Sequence, residues 1–252
     1  MSDEFAGKNV VITGAAGIYG AQLAESFAGA GARLFLTDRD GTGLMAVRAK
    51  LSSAAVVSAA AELTDPDSVA ALCRQVVDWA IPDVVINNAG VYPFGGLFDT
   101  PVEMWDRIMH VNLRAPFLIT QALAKAMIDG GRKGAFIFIG SGAGQMLRTN
   151  GLAYCASKRA LEWLMKGVAL ELAPHGIRAN LIAPGLALGS AATQFPAGYA
   201  EAMGKRVPLG RGIKPGELGE AVMFLASECA AYITGASLSV DGGGAIPRRA
   251  LD

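Results

Sequence analysis

Along the chain, short runs of consecutive apolar residues alternate with longer stretches in which apolar residues return every three or four positions. The runs have strand length: Asn9 to Thr13, Arg33 to Thr37, Ala54 to Ser58, Asp83 to Asn87, Gly134 to Gly140, Arg178 to Ala183 and Ser237 to Val240. Centres such as Val-Val-Ile, Leu-Phe-Leu and Phe-Ile-Phe-Ile are apolar without alternation, the pattern of strands buried on both faces. The periodic stretches read as helices. Leu23, Phe27 and Ala30 fall on the inner side of the first, and Leu161, Leu164, Met165, Val168 and Leu172 form a stripe along one running from Tyr154 to about Ala173. Thr64-Asp65-Pro66 places a capping residue before a proline that needs no donor, and Pro174 followed by Gly176 closes the long helix. Strands alternating with helices from end to end predict an α/β fold, a doubly wound seven-stranded parallel sheet with helices on both faces. No linker, repeat or low-complexity tract divides the 252 residues, so a single domain is expected.

Composition narrows the functional classes. Lys plus Arg and Asp plus Glu both total 22, so no basic excess draws the chain to nucleic acid or anionic lipid. Met1 to Asn9 lacks an apolar core, and later apolar stretches are interrupted well before spanning length, so no membrane segment is expected and the location is read as cytoplasmic. Cys73, Cys155 and Cys229 are scattered, and His110 and His175 have no neighbours that complete a ligand set. Neither a disulfide framework nor a metal site is expected.

In doubly wound sheets ligands bind beyond the carboxyl ends of the strands, and that is where the candidate chemistry lies. The first strand runs into Thr13-Gly14-Ala15-Ala16-Gly17-Ile18-Tyr19-Gly20 and then a helix. Such a turn offers backbone N–H groups and a positive dipole end to a pyrophosphate, although glycines at a bend also serve structure alone. The second strand ends at Asp38, whose carboxylate would accept hydrogen bonds from ribose hydroxyls and repel a 2′-phosphate, which favours NAD over NADP. The competing readings are that Asp38 only begins the Asp38-Arg39-Asp40-Gly41 turn, or that Arg39 accepts a phosphate.

Tyr154 and Lys158, four residues apart, share one helix face. An ammonium there is expected to lower the phenol pKa towards working pH and make Tyr154 a general acid/base; on an ordinary helix the pair are mere surface neighbours. Ser141, at the carboxyl end of Phe136-Ile137-Phe138-Ile139-Gly140, either hydrogen-bonds the same substrate oxygen or caps its own backbone. Pro116 has no N–H for the Asn112 carbonyl, which either frees that oxygen for water or simply kinks a helix.

Taken in order, the glycine turn, Asn87-Asn88-Ala89-Gly90, Asn112, Ser141, the Tyr154 and Lys158 pair, Pro184-Gly185, Ile233-Thr234-Gly235 and Val240-Asp241-Gly242-Gly243 resemble the short-chain dehydrogenases/reductases over essentially the whole chain. The resemblance implies a Rossmann-type fold, with a cofactor half over about residues 1–140 and catalytic and substrate elements over about 141–252. It implies Tyr154 as proton donor or acceptor, Ser141 orienting the substrate oxygen, Lys158 lowering the Tyr154 pKa and bonding the nicotinamide ribose, and Asn112 holding a relay water. It assigns Gly14, Gly17, Ile18, Tyr19, Asp38, Glu62, Leu63, Asn88, Ala89, Gly90, Pro184, Gly185, Ala187 and Ser190 to the nucleotide. The chain departs from the family in three places: Ile18 stands where a turn glycine is usual and Gly17 comes one early; Glu62-Leu63 replaces an Asp followed by an apolar residue; and Gly189 replaces a Thr, leaving Ser190 as the nearest hydroxyl.

The segments least like the family, Tyr92 to Phe98, Gly142 to Asn150 and Leu186 to Arg206, are expected to wall the substrate pocket. Tyr92, Phe94, Met146, Arg148, Leu186 and Phe195, with Ser141 and Tyr154, are the candidate substrate contacts, and Tyr199 lies in the same segments. The expected reaction is NAD-dependent interconversion of a small, partly apolar alcohol with its ketone or aldehyde. Arg148 either pairs with a substrate carboxylate or phosphate or is solvated. The alternatives are an NADP-preferring carbonyl or 3-oxoacyl reductase and a catalytically silent nucleotide-binding interaction protein. The resemblance also implies a homo-oligomer, a tetramer, with contacts near Trp105, Trp163 and the C-terminal segment.

Overall fold

The computed structural model describes residues 4–51, 55–185 and 204–246. Strands β1 (Asn9–Thr13), β2 (Arg33–Asp38), β3 (Val56–Ala60), β4 (Val84–Asn87), β5 (Gly134–Ile139), β6 (Ile177–Pro184) and β7 (Ser237–Val240) form one sheet in the order β3-β2-β1-β4-β5-β6-β7. Every pairing is parallel. Helices α1 (Ile18–Gly29), α2 (Gly41–Lys50), α3 (Pro66–Trp79), α4 (Val102–Met109), α5 (Ala115–Asp129), α6 (Leu152–Leu172) and α7 (Glu217–Ala226) connect them among the described residues. This is the single doubly wound Rossmann-type domain that the apolar pattern predicts.

The unalternating strands feed two cores. In β1, Val10 and Ile12 face α1, α2 and α7 and pack with Leu23, Phe27, Leu44 and Val222, whereas Val11 faces the opposite layer of α3, α5 and α6 with Val76, Leu123 and Met165. Successive side chains of a strand point to opposite sides, so a strand covered on both faces needs apolar residues at every position. The α6 stripe follows expectation: Leu161 and Met165 are buried, and Leu164, Val168 and Leu172 pack at the margin of the same core.

The third strand departs from expectation. It spans Val56–Ala60 rather than Ala54 to Ser58, and residue 54 lies outside the described residues. β3 is the edge strand and none of its residues is fully buried, so its own apolar pattern carries little information; pairing with β2, from Leu34 with Val56 to Asp38 with Ala60, sets the register. Other strand ends shift by one residue, and the long helix begins at Leu152, placing Tyr154 inside its first turn. Asp65 caps α3 through the Asp67 N–H with Pro66 in the first turn, and Gly176 takes the left-handed conformation (φ 69°) after the turn that ends α6. Among the described residues no helix is long and apolar enough to cross a membrane.

Arg178, on β6, gathers the far end of the sheet. Its Nη1 donates to the carbonyls of Leu225 (2.6 Å) and Ile233 (3.3 Å), and its Nη2 to those of Ala226 (3.1 Å) and Ser227 (3.0 Å). These include the orphan carbonyls at the end of α7, where a cation also meets the negative dipole end. Arg178→Met leaves these acceptors unpaired and is expected to lower stability by about 2–4 kcal/mol. Urea unfolding checks this; a loss under about 0.5 kcal/mol, an ordinary surface effect, contradicts it.

Candidate active site

The chain leaves β1 for one face of the sheet and leaves β4 for the other, which opens a crevice between their carboxyl ends. The floor of the crevice is a backbone interlock. Thr13 Oγ1 accepts from the N–H groups of Asn88 and Ala89, both at 3.0 Å, and Asn88 Nδ2 donates to the carbonyls of Thr13 (2.8 Å) and Gly14 (3.0 Å). Gly14 has φ 66°, and a Cβ there would lie 2.7 Å from Ala89 Cα; a Cβ on Gly20 would lie 2.0 Å from the Gly14 carbonyl oxygen. Gly17 is under no such constraint, since a Cβ there would meet only the Gly14 oxygen, at 3.3 Å. Gly17 is the N-cap of α1 and Ile18 its first residue. Ile18, standing where a turn glycine is usual, thus enters the helix, and the two close approaches that require glycine are those of Gly14 and Gly20. The N-terminus of α1 has no side-chain cap and no acidic residue in its first turn, so its N–H groups and dipole favour an anion.

From this floor a cavity of about 680 Å³ extends along the ends of the central strands. At one end lie Asp38, Arg39, Glu62, Leu63 and Arg107. The Asp38 carboxylate accepts from the N–H of Ala16 (3.0 Å) and of Asp40 (3.1 Å), so it ties the glycine turn to β2 as well as starting the turn that follows. Glu62 Oε1 accepts from both the N–H and the hydroxyl of Thr64 at 2.9 Å, and the backbone bond holds its pKa below the usual carboxylate value. Its carboxylate is therefore partly committed to the start of α3.

At the other end β5 delivers Ser141 and the first turns of α6 deliver Tyr154 and Lys158. Lys158 is buried; its Nζ donates to the Ile139 carbonyl at 2.8 Å and sits 5.9 Å from the Tyr154 ring centre. Burial lowers the Lys158 pKa to about 8. Burial also raises the pKa of Tyr154, against which the Ser141 hydroxyl and the Arg148 charge pull downward while Tyr92 adds to the rise. The Tyr154 pKa, expected to fall beside Lys158, is thus raised instead. Spacing of four residues supplies proximity, but desolvation, which no spacing encodes, is the larger effect here. The Ser141 hydroxyl accepts from the Ala143 N–H (3.1 Å), the backbone cap that was one reading of this serine, and it also faces Tyr154.

Asn112 sits in a π-helical turn, His110–Arg114, immediately ahead of Pro116. Its side chain clamps Val91, accepting from the N–H and donating to the carbonyl, each at 2.8 Å, and also donates to Ser157 Oγ at 3.1 Å. This holds the segment following Gly90 against α6; a Cβ on Gly90 would approach Lys158 Nζ to 3.4 Å and Asn112 Oδ1 to 3.5 Å. Tyr92, Phe94, Met146 and Arg148 line the cavity as expected, and Tyr92 meets Tyr154 edge-on with ring centres 6.2 Å apart. Pro184 and Gly185 line it too, whereas Leu186, Ala187, Ser190 and Phe195 lie outside the described residues.

Tyr19, assigned to the nucleotide by resemblance, and Asp241, present only within a family motif, make contacts that the sequence does not show. Tyr19 reaches across the crevice and donates its hydroxyl to the Gly185 carbonyl, a contact between residues too distant in sequence for spacing to reveal. Asp241, after β7, lines the cavity and accepts from the N–H groups of Gly243 (2.9 Å) and Ala245 (2.7 Å). The signal for it was present in Val240-Asp241-Gly242-Gly243, a glycine turn at a strand's carboxyl end.

Residues 14–244 match the family model described as enoyl-(acyl carrier protein) reductase. The chain is 35% identical over 243 residues to D-threitol dehydrogenase of Mycolicibacterium smegmatis, covering 94% of this chain and 92% of that protein. The chain belongs to the short-chain dehydrogenase/reductase family. Galactitol 2-dehydrogenase (L-tagatose-forming) of Cereibacter sphaeroides is 32% identical, with 94% of each chain covered. A short-chain type dehydrogenase/reductase of Mycobacterium marinum superposes with a TM-score of 0.88 at 32% identity over 97% of each chain. This short-chain dehydrogenase/reductase is accordingly an oxidoreductase related to dehydrogenases of alcohols and polyols, a class that uses NAD or NADP. The cavity fits such a dinucleotide: glycines floor it where side chains would intrude, an uncapped helix N-terminus faces it, and a backbone-held carboxylate stands at one end.

Gly20→Ala drives a methyl group into the Gly14 carbonyl and is expected to destabilise the fold by roughly 3 kcal/mol or more, whereas Gly17→Ala shifts stability by under about 1 kcal/mol. Parallel urea titrations check the contrast, and equal losses would refute it. Lys158 gives a pH signature. Its pKa is about 8 folded and 10.5 unfolded, so between these values the unfolded chain binds more protons and stability rises with pH. The melting temperature of the unliganded protein, measured relative to Lys158→Met, is expected to climb from pH 8 towards pH 10; a flat or falling difference contradicts the assignment.

Proposed function

We propose that this protein is an NAD(H)-dependent oxidoreductase that interconverts a primary or secondary alcohol of a small molecule with its aldehyde or ketone, with Tyr154 as general acid/base. The observation that carries this reading is the convergence of Ser141, Tyr154 and Lys158 at one end of a cavity whose other end presents Asp38. Gly14, Gly17, Ile18, Tyr19, Asp38, Glu62, Leu63, Asn88, Ala89, Gly90, Pro184 and Gly185 would hold the dinucleotide, its pyrophosphate over the N-terminus of α1. Asp38, with both oxygens held by backbone N–H groups, accepts from ribose hydroxyls and disfavours a 2′-phosphate.

Bound nicotinamide accepts or supplies the hydride. The phenol of Tyr154, kept protonated at neutral pH by burial, gives its proton to a carbonyl oxygen in reduction; in oxidation its conjugate base takes the hydroxyl proton. Ser141 hydrogen-bonds the same oxygen and holds it towards Tyr154. Lys158 bonds the nicotinamide ribose, and its ammonium, opposite a developing phenolate, eases ionisation of Tyr154. Asn112 keeps the segment after Gly90 in place by clamping Val91.

Arg39, which also lines the cavity beside Asp38, supports a second reading, an NADP-preferring carbonyl or 3-oxoacyl reductase. The segment to about residue 140 supplies the nucleotide half and the rest the catalytic and substrate elements. A homotetramer in the cytoplasm completes the proposal; Trp163 at 71% exposure and Leu170 at 78% on α6 support a helix face covered by a second copy.

Tyr154→Phe removes the proton-transfer group but little volume. Following absorbance of reduced nicotinamide with a panel of polyols and secondary alcohols, kcat is expected to fall by at least about 100-fold with nucleotide binding retained. Undiminished turnover would rule out Tyr154 as the acid/base.

A further inference from the structure

The cations that line the cavity include Arg39 and Arg107 near Asp38 and, at the substrate end, Arg148. Arg148 lines the substrate end but enters no ion pair, and its guanidinium makes no hydrogen bond there. The carboxylates of the same cavity are otherwise engaged: Asp38 with Ala16 and Asp40, Glu62 with Thr64, and Asp241 with Gly243 and Ala245, in each case through backbone N–H groups.

The turn that carries Arg148 is built rather than loose. The Arg148 carbonyl accepts from the Gly151 N–H (3.1 Å), the Asn150 carbonyl accepts from the Gly95 N–H (2.8 Å), and Gly95 and Gly151 form a parallel bridge. Asn150 takes the left-handed conformation, φ 59°, that reverses the chain into α6. A few residues on along that helix stands Tyr154, and the Arg148 charge is close enough to lower the pKa of its phenol. Tyr92, Phe94 and Met146 line the same cavity, and the Arg148 side chain is exposed, so it is open to a ligand that enters there. A neutral polyol would leave the charge unmatched in this setting, whereas a guanidinium fork takes a carboxylate in two parallel hydrogen bonds.

We propose that Arg148 is the binding site for a carboxylate on the substrate, and that the preferred substrate is a hydroxy acid or the corresponding keto acid. This rests on the oxidoreductase reading above. In oxidation the alcohol carbon loses its hydride to the oxidised nicotinamide, the hydroxyl proton passes to Tyr154, and the carboxylate stays unchanged on Arg148 as an anchor. A carboxylate is favoured over a phosphate because a single fork matches a monoanion.

The test compares hydroxy acids of graded length, such as 3-hydroxybutyrate and 4-hydroxycyclohexanecarboxylate, with their neutral amides and with phosphorylated alcohols of similar size. For at least one pair the acid is expected to exceed its amide in kcat/KM by about tenfold or more, the worth of a charge-assisted hydrogen bond. Arg148→Gln is expected to bring that ratio close to one, and Arg148→Lys to restore part of it. Should Arg148→Gln disturb the turn, the unaltered protein still decides: cyclohexanecarboxylate is expected to inhibit competitively and its amide about tenfold more weakly. Amides or polyols used as well as acids, phosphates preferred to carboxylates, or a ratio that survives in Arg148→Gln would overturn this inference while leaving the oxidoreductase reading intact. No turnover of any alcohol with either nucleotide would overturn both.

Discussion

Everything at the carboxyl end of the sheet hangs on how closely the backbone after β1 approaches the backbone after β4. Thr13 and Asn88 stitch the two together with four hydrogen bonds in which each side chain serves the other's main chain. Gly14 lies so near Ala89, and Gly20 so near Gly14, that neither position has room for a Cβ. Buried main-chain groups that leave a sheet must find partners, and here the partners also draw the walls of the crevice together while leaving its floor free of side chains. The uncapped start of α1 is then held facing the cavity, and the tie from Ala16 to Asp38 extends the same construction to β2.

Electrostatics at the other end is governed by burial. Lys158 and Tyr154 are both shifted towards their neutral forms, the lysine downwards and the tyrosine upwards. Each charged form is held in check by desolvation, and an ammonium beside a phenolate would favour the ionised state of both. Ser141 and Arg148 act on the phenol in the opposite sense to burial, so the turn between β5 and α6 bears on Tyr154 as well as lining the cavity.

The fold was legible because six of the seven strands and the α6 stripe obey simple periodicities imposed by burial on both faces. The exception, β3, lies at the sheet edge, where its partner rather than its own pattern sets the register. At the site, the residue types were readable from their position at strand ends, but what they do to one another was not. The Tyr19 bond to Gly185 and the Asn112 clamp on Val91 join segments 166 and 21 residues apart, and the reversal of the expected Tyr154 shift comes from desolvation. Ile18 illustrates the remaining gap: as a letter it breaks a glycine pattern, whereas in three dimensions it merely begins a helix behind an N-cap glycine.

A dinucleotide site selected for NAD by Asp38 is what we propose for the cavity built on this interlock. Calorimetric titration of the unmodified protein with NAD and with NADP tests it most directly. Saturable binding of NAD is expected, with NADP weaker by about tenfold or more, the effect of setting a phosphate against a carboxylate. Tighter binding of NADP would contradict the role given to Asp38, and binding of neither would contradict the site itself.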